Sequence, residues 1–175
     1  MIITAGKFKG QKIVAPDENI TRPTLSKVRM SVFNTLQAMI DFEGKTFFDM
    51  FAGSGIMGLE AISRGFGSAV GIEKNLKIAN VIKNNYKKFN PAPKLLIGDS
   101  LKIARKMDEK FDVIYIDPPY FSGVYEQSLD AIKHVASDII ILEHVTDVNF
   151  SEFKLIKQKK YGDKFITFLE NLERI

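Results

Sequence analysis

From Thr46 to Glu143 the chain alternates short apolar runs with stretches of helical period, and that alternation admits few folds. The runs Thr46 to Met50, Ala69 to Ile72, Leu95 to Ile97, Phe111 to Ile116 and Ile139 to Glu143 have the length and β-branched content of buried strands. Between them, helices are predicted over Ile56 to Arg64, Asn75 to about Phe89, Ser100 to Met107 and Tyr125 to Val135, with Gly65 ending the first and Asn75 capping the second. Strand–helix repetition requires crossovers, so these five strands lie parallel with helices on both faces. The pattern then changes: Phe153 to Lys160 and Phe165 to Leu169 flank Tyr161-Gly162-Asp163-Lys164, a hairpin that adds antiparallel strands at one edge. The expected fold class is therefore α/β, a seven-stranded, mostly parallel sheet with a C-terminal antiparallel hairpin. Ahead of it, Ile2 to Val14 is punctuated by Gly6 and Gly10 and reads as a short β-hairpin or extended arm. Arg22-Pro23-Thr24 breaks the chain. Val28, Val32, Phe33, Leu36 and Ile40 recur at helical spacing, with Thr24 or Ser26 as the expected cap.

The first strand ends on Asp49 and runs into Phe51-Ala-Gly53-Ser-Gly55-Ile-Met-Gly58. Glycines here let a ligand approach the backbone, and the following helix offers free N–H donors. Glu73 ends the next strand, where a carboxylate can hold two ribose hydroxyls. Strand, glycines and distal acid together indicate an adenosine-containing ligand, against the plainer reading of a tight turn without one. Asp49 separates two ligand classes. A pyrophosphate in this loop would face that carboxylate, whereas S-adenosylmethionine brings an amino group and a sulfonium. Asp99, in Gly98-Asp99-Ser100, is a third acid at a strand end, suited to an adenine amino group or to capping the helix from Ser100.

The strand Val113 to Ile116 delivers Asp117-Pro118-Pro119-Tyr120 to the same end of the sheet. Two prolines stiffen the backbone and leave carbonyls with no competing N–H. An exocyclic amino group on a base is a poor nucleophile because its lone pair is delocalised. Held by the Asp117 carboxylate and the Pro118 carbonyl, it can pyramidalise toward a methyl donor while Tyr120 stacks on the ring. Asp117 acts first as a hydrogen-bond acceptor, and whether it also takes the proton is left open. No metal is required. The competing reading is a stiff surface turn.

Composition narrows the class further. The 175 residues fit one domain, divided into an N-terminal arm over 1–24 and a catalytic core over 25–175. With no Cys, disulfides and thiolate chemistry are excluded. No apolar run suits a membrane span and the N-terminus lacks an h-region, so a cytoplasmic location is expected. A formal charge of +4 and a pI of about 9.1 fit a polyanionic partner. Lys7, Lys9, Lys12, Arg22, Thr24 and Arg29 are the candidate RNA contacts, with Arg22 and Arg29 favoured over the lysines, each of which fits a solvated face equally well. Lys157, Lys159 and Lys160 read as a solvated strand edge, and His134 and His144 receive no role.

Ile3-Thr-Ala-Gly6-Lys-Phe-Lys-Gly10-Gln-Lys-Ile13, Arg22-Pro23-Thr24, Val28-Arg29, Phe33-Asn34, Phe51-Ala-Gly-Ser-Gly55, Gly58-Leu-Glu-Ala61 and Ser63-Arg64 resemble the RsmD family over nearly the whole chain. These are bacterial small-subunit rRNA guanine-N2 methyltransferases. The resemblance implies a Rossmann-like class I methyltransferase fold and methylation of guanine 966 in 16S rRNA. It implies S-adenosylmethionine held by Asp49, Phe51, Gly53, Gly55, Glu73, Asp99 and Ser100, and guanine held by Asp117, Pro118, Pro119 and Tyr120. Arg22-Pro23-Thr24 would close over the pocket. Tyr120 stands where the family would place Phe, which brings the motif closer to adenine-N6 enzymes. A DNA adenine-N6 methyltransferase and a dinucleotide-binding domain without catalysis are the alternatives. The partner expected is the small ribosomal subunit, met by a monomer, and an assembled 30S particle would supply part of the specificity.

Overall fold

A computed structural model describes residues 1–17, 25–121 and 123–172, so Arg22, Pro23 and Thr24 lie outside the described residues. The chain runs α1 (Ser26–Met39), β1 (Thr46–Asp49), α2 (Ile56–Arg64), β2 (Ser68–Glu73), α3 (Leu76–Tyr86), β3 (Lys94–Ile97), α4 (Ser100–Arg105), β4 (Phe111–Ile116), α5 (Val124–Ile132), β5 (Ala136–His144), β6 (Phe153–Tyr161) and β7 (Lys164–Asn171). The strands form one sheet in the order β3-β2-β1-β4-β5-β7-β6. β1 to β5 are parallel, while β7 pairs antiparallel with both β5 and β6. The seven-stranded, mostly parallel sheet with its terminal hairpin is the fold expected from the alternation.

The central strands are apolar on both faces because both faces are covered. On one, Phe47, Val113, Tyr115, Ile141 and Phe168 pack against Phe33 and Leu36 of α1 and Met57 and Ala61 of α2. On the other, Phe48, Ile114, Ile116 and Leu142 meet Leu129 and Ile132 of α5. Each such side chain contributes about 1.5–3 kcal/mol on burial. β1 and β4 are neighbours, yet their crossovers leave in opposite directions along the sheet. A crevice forms outside the carboxyl ends of strands at such a switch point.

Several local expectations need correction: α4 ends at Arg105 rather than Met107, and α5 at Ile132 rather than Val135. α1 begins after Leu25, with Ser26 as its first residue, and Leu25 makes no side-chain cap. α3 ends at Tyr86 rather than near Phe89, because Phe89 turns back to set its ring edge-on to Phe8, 5.0 Å away. Its start is as expected: Asn75 Oδ1 accepts from Lys77 N and Ile78 N at 2.9 and 3.2 Å.

The N-terminal arm doubles back through one bridge, Ile2 with Lys12, and hydrogen bonds such as Ile3 N to Gln11 O at 3.0 Å. It is docked on α2. Lys7 N and Phe8 N donate to Ser63 O and Oγ, both at 2.9 Å. Gly6 sits at φ +83°, and a Cβ there would lie 1.8 Å from Ser63 O, so only glycine fits this contact. Beneath the arm, Glu60 is fully buried and accepts from Thr4 N while pairing with Arg64 at 3.3 Å and Arg29 at 3.7 Å. Arg29 therefore departs from the expectation of an RNA contact. Only 1% exposed, it donates to Ile2 O at 2.7 Å and serves as a tie between α1, the arm and α2. Burial pulls its pKa down, and Glu60 opposes that pull.

Candidate active site

Four strands and their loops present acids at the carboxyl edge of the sheet. Asp49 ends β1, Glu73 ends β2, Asp99 precedes α4, and Asp117 follows β4. Asp49 is buried, and its Oδ1 has no hydrogen-bond partner among the described residues. Burial raises its pKa well above the ordinary carboxylate range, the negative charges of Asp117 and Glu73 add to that, and the Phe51 backbone N–H opposes it. A buried acceptor without a donor costs free energy, and a cation brought by a ligand would offset that cost.

The glycine loop is built around Glu73. Its two oxygens accept from Gly53 N and Asn75 N, both at 3.0 Å, which fixes the loop against the end of β2. A carboxylate offers about four acceptor sites, so ribose hydroxyls can still be received. Gly55 caps α2 at φ +80°, and a Cβ there would meet Ile82 Cγ2 at 2.9 Å and the Tyr86 hydroxyl at 3.0 Å. Tyr86 in turn donates to Gly55 O at 3.0 Å, so helix α3 clamps the loop from behind. Phe51 is half-buried over the α5 side of the sheet, and Ser100 is buried as the first residue of α4. Asp99 caps α4 by accepting from Lys102 N at 2.9 Å, which gives the capping role without excluding a ligand contact.

Across the switch point, Asp117 and Pro118 are half-buried and Pro119 is exposed. Tyr120 is 68% exposed and meets Tyr125 of α5 edge-on at 6.5 Å, leaving a ring surface open to solvent beside the carboxylate. Burial first, then the neighbouring Glu143, push the Asp117 carboxyl well above its usual range, and Lys164 pulls the other way. The site thus joins the two clusters seen in the sequence, an acid-and-glycine cluster on one side of the β1–β4 boundary and Asp-Pro-Pro-Tyr on the other. Lys7, Lys9 and Lys12 are exposed on the docked arm.

Three residues of this neighbourhood escaped sequence reasoning. Glu143 is fully buried at the end of β5, and Lys164 opens β7 with Nζ 2.8 Å from Glu143 Oε2 and 3.7 Å from Asp117 Oδ1. The signal for Glu143 was available, since it is an acid closing an apolar strand at the same sheet edge. Lys164 looked like a turn residue. His144 is buried; its Nδ1 faces Thr146 O at 2.8 Å and its Nε2 faces Thr167 Oγ1 at 2.7 Å. A carbonyl can only accept, so Nδ1 donates to Thr146 O while Nε2 bonds the Thr167 hydroxyl. This histidine holds β5 to β7.

Sheet order and site place the chain among the Rossmann-like methyltransferases, whose methyl donor is S-adenosylmethionine. It belongs to the family described as conserved hypothetical protein 95, the RsmD family, which it matches over residues 1–170. Among its relatives is the "Putative rRNA methyltransferase YlbH" of Bacillus subtilis, 33% identical, with 93% of this chain and 94% of that protein covered. Ribosomal RNA small subunit methyltransferase D of Buchnera aphidicola is also 33% identical, over 75% of this chain and 69% of its own length. In solved structures, the "Putative methyltransferase yhhF" of Escherichia coli shares the fold with a TM-score of 0.86, covering 98% of this chain and 97% of that one at 22% identity.

Proposed function

We propose that this protein methylates the exocyclic N2 amino group of a guanine in small-subunit ribosomal RNA, guanine 966 of 16S rRNA by the family resemblance, and acts on the assembled 30S particle in the cytoplasm. The observation that carries the reading is the placement of Asp117-Pro118-Pro119-Tyr120 beside Asp49 and the glycine loop, across the β1–β4 switch point. Relatives named as rRNA methyltransferases at 33% identity support the choice of RNA over DNA. When bound, S-adenosylmethionine supplies a methyl group on a sulfonium, whose carbon–sulfur bond breaks with the electron pair remaining on sulfur.

The chain's residues divide the work. Asp49 receives the cofactor's amino group, which supplies the donor that Oδ1 lacks. Glu73 receives the ribose hydroxyls, Gly53 and Gly55 allow close approach, and Phe51, Asp99 and Ser100 line the adenine side. Asp117 and the Pro118 carbonyl accept the two hydrogens of the guanine amino group, Pro119 keeps the loop stiff, and Tyr120 stacks on the base. As the nitrogen bonds to the methyl carbon it becomes cationic and sheds one proton. Asp117, whose proton affinity burial has raised, is placed to take it. Lys7, Lys9 and Lys12 meet RNA phosphates, and Arg22 and Thr24 are further RNA contacts by the family resemblance.

The nucleotide is settled by mapping methylation in 16S rRNA from a strain lacking this gene. Loss of N2-methylguanosine at a single position, restored by the gene in trans, is the expected result. An unchanged rRNA pattern together with methylation of duplex DNA at adenine would replace this reading with the adenine-N6 one that Tyr120 invites.

A further inference from the structure

Three strands bring three charged side chains to one spot on one face of the sheet. Ile116 of β4 pairs with Leu142 of β5, so the next residues, Asp117 and Glu143, fall side by side. Glu143 stands opposite Ile166 of β7, and Lys164, two residues earlier on that strand, reaches it along the diagonal. The Glu143 carboxylate is fully buried, whereas Lys164 is about one-third exposed. Among the described residues, Lys164 is the cation within 4 Å of either carboxylate.

We propose that Lys164 is a positioning residue for Asp117: anchored by Glu143, its ammonium favours the Asp117 carboxylate and holds it toward the base. This rests on the role given to Asp117 above. The geometry motivates it in two ways. Glu143 fixes Nζ at 2.8 Å, so the lysine cannot swing freely into solvent, and the longer 3.7 Å approach to Asp117 leaves that carboxylate able to accept from a substrate amino group. A closer, direct bond would compete with the base for the same oxygen. The groups facing Asp117 from its surroundings are Glu143 on β5, Lys164 on β7, Asp49 on β1, Tyr115 on β4, and Tyr125 on α5. Lys164 is the cation in that set, so its loss leaves three carboxylates without a counter-charge among the described residues. Direction agrees with this: Lys164 lowers the proton affinity that burial and Glu143 raise.

The test compares Lys164→Met with Lys164→Arg. In cofactor-free protein, the Asp117 carboxyl resonance is followed by carbon NMR against pH. The titration midpoint should move up by about one unit or more in Lys164→Met and stay near the wild-type position in Lys164→Arg. In turnover, the acid limb of kcat should shift to higher pH by the same amount. That is about a tenfold loss on the acid side for each unit, recovered at alkaline pH, with cofactor affinity unchanged. Should Lys164→Met fail to fold, Lys164→Gln takes its place. An unmoved midpoint in the uncharged variant, or an Arg variant that behaves like it, overturns the proposal. The NMR arm needs no substrate, so a wild-type protein that fails to methylate rRNA would count against the proposed function and leave this result separately readable.

Discussion

Asp49 and Asp117 sit at adjacent strand ends, and the Asp117 charge makes Asp49 harder to ionise. For Asp49, burial is the larger cause and the neighbouring carboxylates the smaller. A carboxyl whose folded pKa lies above its unfolded value binds more protons folded than unfolded. Its favourable contribution to stability is therefore present at low pH and lost as pH rises through the raised pKa. Binding runs the opposite way. The cofactor's ammonium pairs with the ionised acid, so affinity should climb as pH rises through the raised pKa. Calorimetry of S-adenosylmethionine binding against pH should show this rise in the wild type and a flat, weaker profile in Asp49→Asn. A wild-type profile without slope would remove Asp49 from the cofactor site.

Helix α2 links the two ends of the site. Its first turn closes the glycine loop at Gly55, and its last turns carry Glu60, Ser63 and Arg64, which hold the N-terminal arm. Glu60→Ala would remove the buried carboxylate that pairs with both the Arg29 and Arg64 guanidinium groups. The expected loss is about 3–5 kcal/mol in urea unfolding, far more than a surface ion pair would give. A change under about 1 kcal/mol would show that Glu60 contributes little to docking the arm. At this scale it is clear what the sequence could reveal. The glycine loop and Asp-Pro-Pro-Tyr were legible because each is a local pattern whose meaning depends on a strand just before it. Arg29 was misread because its burial depends on Glu60 and on the arm, and neither contact leaves a trace in the residues around it. Glu143 and Lys164 meet through the register of β5 on β7, which hydrophobic spacing does not specify.

In the proposed function the docked arm serves recognition and the carboxyl edge of the sheet serves chemistry. Lys7, Lys9 and Lys12 are exposed on the arm, and Lys7 Nζ lies 5.0 Å from the centre of the Phe8 ring. If all three meet phosphates, replacing them together with Gln should flatten the salt dependence of RNA binding by about 2 in log–log slope, leaving cofactor affinity unchanged. An unaltered slope would assign these lysines to a solvated face. A chain of 175 residues has limited surface for reading RNA, so activity on 30S particles should exceed activity on free 16S rRNA.

The central claim is that Asp117 directs methyl transfer to a guanine amino group. It is tested most directly by incubating wild-type protein and Asp117→Ala with 30S particles from the deletion strain and methyl-labelled S-adenosylmethionine, then digesting the rRNA to nucleosides. The account predicts label in N2-methylguanosine for the wild type, and none for Asp117→Ala even though that variant still binds the cofactor with nearly wild-type affinity. Label in another nucleoside, or a variant that transfers methyl groups as fast as the wild type, would contradict it.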